Sequence, residues 1–163
     1  MIFLKRYSSR IIAVFAGLFA IIGTGLYLSL PYGFFSINWT TSLPGTFLWV
    51  DKTAKPKLGD IAAFYPPKGH KLHQDLWFGK VIVGQAGDEV QIENNRVSIN
   101  GRDFGEVKHR TLHGAPLEPA NSGVIPDEHV FMWTPHERSY DSRYKDIGLI
   151  HEDAIFGRLV RLL

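Results

Sequence analysis

Ser42 stands directly before Leu43-Pro44-Gly45. Proline fixes φ there and glycine permits the φ/ψ values of a tight bend. A serine on such a bend can project its Oγ away from the strand that follows. No base flanks it, so any base must come from elsewhere in the chain. Two readings stand side by side: an ordinary loop serine, or a nucleophile with a distant partner.

Lys80 is one candidate partner. It lies in Trp77-Phe78-Gly79-Lys80-Val81-Ile82-Val83, a run that alternates as a strand does. On a strand Lys80 shares a face with Phe78 and Ile82. An ammonium among apolar groups loses solvation, which lowers its pKa and favours the neutral amine. A neutral lysine can serve as a general base toward a serine hydroxyl. The competing reading is an exposed lysine guarding an edge strand.

Ser139-Tyr140-Asp141-Ser142-Arg143 concentrates hydroxyls, a carboxylate and a guanidinium within one short segment. Asp141 and Arg143 can pair and fix that loop; the same residues also suit a solvated polar loop. Of the histidines, His70 and His73, and His109 and His113, have spacings that suggest metal ligands. Gly114 and Pro116 break any helix that would align the second pair, and the glutamate of the zinc-protease motif is missing. No metal site and no cofactor are therefore expected. Gly84-Gln85-Ala86-Gly87-Asp88 turns between strands and opens no helix, so it is no phosphate loop.

The elements that must hold these groups follow from the pattern of the rest. The chain has 163 residues, enough for one compact domain and an anchor. It contains no cysteine, which removes disulfides, thiolate metal sites and cysteine nucleophiles together. A formal charge of +2 without a basic run gives no electrostatic case for a nucleic-acid partner.

Ile11 to Leu30 carries no charge. Roughly twenty residues at helical rise span about 30 Å, the thickness of a bilayer core. Lys5, Arg6 and Arg10 precede the run, and no charge follows until Asp51. The positive-inside rule predicts residues 1–10 in the cytoplasm, 11–30 across the membrane and 31–163 on the far side. Tyr27, Tyr32, Phe34, Phe35 and Trp39 would form an aromatic belt at the exit. A cleaved signal peptide fits less well, since the run is long and 28–32 offers no small-x-small site.

Beyond the anchor short strands dominate. They are read at 47–50, 61–65, 76–83, 90–93, 97–99, 130–133 and 154–162, with an Asn94-Asn95 hairpin tip. Residues 102–126 read as a long loop or loose hairpin, and 134–148 as a polar loop. No helical period follows the anchor, so the expected class is mainly antiparallel β after one transmembrane helix.

Four blocks in order then resemble the type I signal peptidases, membrane-anchored serine proteases with a Ser–Lys dyad. They are Ser42-Leu43-Pro44-Gly45, Gly59-Asp60-Ile61-Ala62-Ala63-Phe64, Lys80 through Val90, and Ser139 through Tyr144 with Gly148. The resemblance covers nearly the whole chain. Ser-x-Pro in place of Ser-x-x-Pro, Tyr65-Pro66-Pro67 and Asn100-Gly101-Arg102 are similar to the conjugative-transfer, TraF-type branch. The chain departs from the pattern at Gln85-Ala86, where Leu-Pro is usual, and at Lys145-Asp146, which lengthen the gap to Gly148.

The resemblance implies a signal-peptidase-like β catalytic domain outside the bacterial cytoplasmic membrane. It implies Ser42 as nucleophile, Lys80 as general base, and Thr40 with the Ser42 amide as oxyanion donors. Ser139 would orient the lysine, and Asp141 and Arg143 would brace the site. The implied partners are membrane lipid and a precursor protein delivered at the membrane. In the TraF-type branch that precursor is a pilin propeptide of conjugative type IV secretion, in some members with cyclisation. A general signal peptidase and a catalytically inert anchored subunit of a secretion complex are the alternatives.

Overall fold

A computed structural model of the chain describes residues 2–38, 43–69 and 76–162. Thr40 and Ser42, together with Trp39, His70 and His73, lie outside the described residues. The first element is helix α1, Ile2–Ser29. Its window Ile11–Ser29 has a mean hydropathy of 2.3, and no part of it is buried among the described residues. It is long and apolar enough to cross a membrane. The helix starts well before the apolar run, so Lys5, Arg6 and Arg10 lie on its first turns.

Among the described residues eleven strands follow: β1 Gly33–Ile37, β2 Phe47–Asp51, β3 Ile61–Phe64, β4 Phe78–Gly84, β5 Glu89–Glu93, β6 Arg96–Ile99, β7 Arg102–Glu106, β8 Gly123–Val124, β9 His129–Trp133, β10 Ile150–His151 and β11 Ile155–Arg161. Seven of them form one sheet in the order β1-β2-β11-β3-β4-β9-β10, and the others form a small sheet, β7-β6-β5-β8. All of the pairings are antiparallel. The mainly antiparallel β class read from the sequence is the class observed.

Two segments hold more regular structure than the sequence pattern suggests. Residues 33–37, expected only as part of an aromatic belt, form β1, which pairs with β2 from Gly33↔Asp51 to Ile37↔Phe47. Gly33 permits this, because a Cβ there would stand 2.2 Å from the Val50 carbonyl oxygen and 2.5 Å from the Trp49 ring. Residues 102–126 are also not wholly loop. They contain β7 and β8, which flank the Asn94-Asn95 hairpin. A register shift between Arg96 and Ser98 and the two-residue length of β8 obscure the alternation that would announce them.

The core has three parts. Leu43, Leu48, Val50, Ala63 and Leu159 pack together near the turn after residue 42. Ala62, Phe64, Ile82, Met132, Ile147 and Ile150 fill a second part. Val97, Phe104, Ile125, Phe131 and Tyr144 join the small sheet to the large one. Trp133 reinforces that junction, donating its indole N–H to the Phe104 carbonyl at 2.7 Å.

Candidate active site

Strand β4 carries Lys80 into the interior of the large sheet, between β3 and β9. Along β4 the residues Lys80, Ile82 and Gly84 are buried while their neighbours are only partly so. Lys80 is 6% exposed. It is therefore no edge-strand lysine. Its cross-strand partner on β3 is Ala62, which is fully buried and leaves room for the amine.

Lys80 Nζ donates to Ser139 Oγ at 2.7 Å. Burial pulls its pKa from 10.5 down to about 8, against the opposing attraction of Asp141; Arg143 adds a further push downward. The neutral amine is thus accessible a little above neutral pH, and a neutral amine is what a general base requires.

The loop after β9 is held by its own polar groups. Ser142 closes onto the end of β9, its amide donating to the Met132 carbonyl at 3.0 Å while its Oγ accepts from the Met132 amide at 2.9 Å. Arg143 clasps Asp141 through two bonds, Nε to Oδ1 at 2.9 Å and an Nη to Oδ2 at 3.0 Å. Both side chains are buried, 2% and 0% exposed. The guanidinium also donates to the carbonyls of Ser139 at 3.2 Å, His136 at 3.3 Å and Glu106 at 3.4 Å. Glu106 belongs to β7, so Arg143 ties the loop to the small sheet. A buried charge needs this degree of satisfaction, since an uncompensated one is strongly destabilising.

Sequence reading did not single out Thr134. It is fully buried, and its Oγ1 donates to Ser139 Oγ at 2.5 Å. The signal that would have found it is pairing: β9 lies beside β4, and Thr134 is the first residue past β9.

On the other side of Lys80, Gly79 opens space for the turn that follows Ser42. A Cβ on Gly79 would stand 3.1 Å from Leu43 Cδ1 and 2.4 Å from Leu159 Cδ1. Leu43 is buried in the contact. Asn38 fixes the same turn, its Nδ2 donating to the carbonyls of Leu43 at 2.8 Å and Gly45 at 3.0 Å. Gly45 has φ +97°, as the bend requires. Lys80, Ser139, Asp141 and Arg143 are thus brought together in the structure. His109 and His113 lie in an irregular segment, not on a helix.

The chain is 26% identical to the probable conjugal transfer protein TraF of Sinorhizobium fredii over 144 residues, covering 77% of this chain and 75% of that one. It is 27% identical over 169 residues to the conjugal transfer protein TraF of Agrobacterium fabrum, covering 92% and 94%. A probable signal peptidase I-2 of Synechocystis is 28% identical over 107 residues, covering 63% of this chain and 46% of that one. Among solved structures, a signal peptidase I from Enterococcus faecalis aligns with a TM-score of 0.41 at 21% identity, covering 66% of this chain and 98% of that one. The family model described as signal peptidase, peptidase S26, matches residues 6–163, and the chain belongs to that family.

Proposed function

We propose that this protein is a membrane-anchored serine endopeptidase that works through a Ser42–Lys80 dyad. The observation that carries the proposal is Lys80: a buried amine with a depressed pKa, aimed by Ser139, one residue from the glycine against which Leu43 packs. Leu43 is the neighbour of Ser42 in sequence. Neutral Lys80 takes the proton from Ser42 as its Oγ attacks the scissile carbonyl. The Ser42 amide and the Thr40 hydroxyl receive the oxyanion. The Lys80 ammonium then returns the proton to the leaving amine, and the acyl-enzyme is resolved by water or by a second amine. Asp141 and Arg143 hold the loop that presents Ser139.

Helix α1 anchors the chain with residues 1–10 in the cytoplasm and the β domain outside it, as the basic residues before Ile11–Ser29 and the lack of charge directly after it favour. The precursor is one whose apolar segment delivers the scissile bond to the membrane surface. The likeness to proteins described as conjugal transfer TraF favours a conjugative pilin propeptide, with cyclisation where an amine resolves the acyl-enzyme. The Synechocystis relative supports a general signal peptidase instead; a panel of unrelated exported precursors separates the two, since only the general enzyme cleaves most of them.

The test of the dyad is acylation of the full chain in detergent by a p-nitrophenyl ester, followed by peptide mapping. Modification at Ser42 that is lost in Lys80→Ala supports the reading. A chain that is never acylated at Ser42 is an inert subunit.

A further inference from the structure

The Ser139 hydroxyl is shared by two groups, and only one of them is Lys80. Thr134 follows β9 directly, and the β4–β9 ladder ends at Val81↔Trp133. One more step in that antiparallel register sets Thr134 beside Lys80. Thr134 is fully buried, donates from Oγ1 to Ser139 Oγ at 2.5 Å and from its amide to Asp141 Oδ2 at 3.4 Å. Lys80 donates to the same Ser139 Oγ at 2.7 Å.

A hydroxyl offers two lone pairs and one proton. With Thr134 on one lone pair and Lys80 on the other, the Ser139 proton points away from both. A neutral amine has a single lone pair. Were Ser139 free to rotate, its proton would turn to that lone pair and occupy it, and the amine could not receive a proton from Ser42. We propose that Thr134 is a positioning residue, locking the Ser139 hydroxyl as an acceptor toward Lys80 and so keeping the lysine lone pair open for Ser42. This rests on the Ser42–Lys80 reading above. Nothing but hydrogen-bond direction changes hands.

The charged groups that bear on Lys80 are Asp141 and Arg143, both on the loop after β9. From the flanking strands, β3 sets Ala62 opposite Lys80, and β9 pairs Trp133 and Met132 with the next two residues of β4. Among the described residues, Asp141 and Arg143 are the charged groups that act on the amine. Loss of Thr134 therefore has a signature that simple loosening lacks. A Ser139 proton donated to the neutral amine stabilises that form and moves the Lys80 titration to lower pH. Water admitted by poor packing restores solvation of the ammonium and moves it upward.

The experiment is the pH profile of Ser42 acylation by a p-nitrophenyl ester, with the full chain in detergent. Thr134→Val is expected to lower the plateau rate about tenfold, well inside the roughly hundredfold that misplacement of a reacting group can cause. Its acid limb should shift to lower pH, and Thr134→Ser should restore both. In a Ser139→Ala background Thr134→Val should add nothing. If the valine variant does not fold, Thr134→Ala gives the same reading. A parent rate in the valine variant, an acid limb moved upward, or an equal further loss in the Ser139→Ala background would each overturn the role. Lys80→Ala runs alongside: if it is acylated at the parent rate, the dyad fails; if it is inert while Thr134→Val matches the parent, Thr134 alone fails.

Discussion

Lys80 couples the chemistry of the site to its stability. Its amine titrates near pH 8 when folded and near 10.5 when free. Between those values the unfolded chain binds the extra proton, so stability rises with pH through this window. Across the full window the group contributes about 3 kcal/mol, which is absent below pH 8. Lys80→Met removes the buried ammonium and should raise the melting temperature at pH 7, with the difference shrinking toward pH 10; thermal melts across that range check it. Asp141 behaves oppositely. Removing it leaves the buried Arg143 guanidinium without its clasp, and breaking such a pair typically costs about 3–5 kcal/mol. Asp141→Ala should lose both stability and activity. Lost activity at an unchanged denaturation midpoint would instead give Asp141 a direct chemical part.

Strand β4 presents two faces to the site through consecutive residues, Lys80 to Ser139 and Gly79 to Leu43. Gly79→Ala should crowd Leu43 and Leu159, shifting the turn that follows Ser42. Overpacking of this kind costs typically about 1–3 kcal/mol, and activity should fall further than stability alone explains. Kinetics at a temperature where the variant is fully folded make that comparison. The alternation of Phe78, Lys80 and Ile82 set Lys80 on an apolar face, because a two-residue period is local information, but it left a buried lysine and an exposed edge-strand lysine both open. The partners of β4 were not legible. β3 and β9 come from distant parts of the chain, and neither Thr134 beside Lys80 nor Glu106 above Arg143 leaves a trace in local spacing. β1 was missed for a related reason: its two phenylalanines are adjacent, Phe34 half-buried and Phe35 exposed, it pairs with a single strand, and the same aromatics suit a membrane exit. The departure at Lys145-Asp146 became interpretable only in three dimensions. Lys145 pairs with Glu118 at 2.8 Å and Asp146 accepts from the Tyr140 hydroxyl at 2.9 Å, so the longer gap is tethered at both residues.

Taken whole, the molecule is a two-sheet β body behind a helix whose apolar side chains from Ile11 onward find no cover in the chain. Tyr32, Phe35, Ile37 and Phe47 add exposed apolar surface on and beside the β1–β2 edge, next to the end of that helix. A lipid surface is the partner that would cover both. Because the chain lacks cysteine, a single one at Lys57 reports topology without background. It should react with an impermeant thiol reagent from outside the cytoplasmic membrane; reaction only after the membrane is breached would reverse the orientation. A Ser42–Lys80 peptidase must cleave a membrane-delivered chain through neutral Lys80. The direct measurement is cleavage of such a precursor in detergent micelles, from neutral to alkaline pH, by the parent and by Lys80→Arg of confirmed fold. The parent rate should rise through about pH 8 and level off, while the arginine variant stays inactive throughout, since a guanidinium does not deprotonate in this range. Cleavage by Lys80→Arg at the parent rate would contradict the dyad.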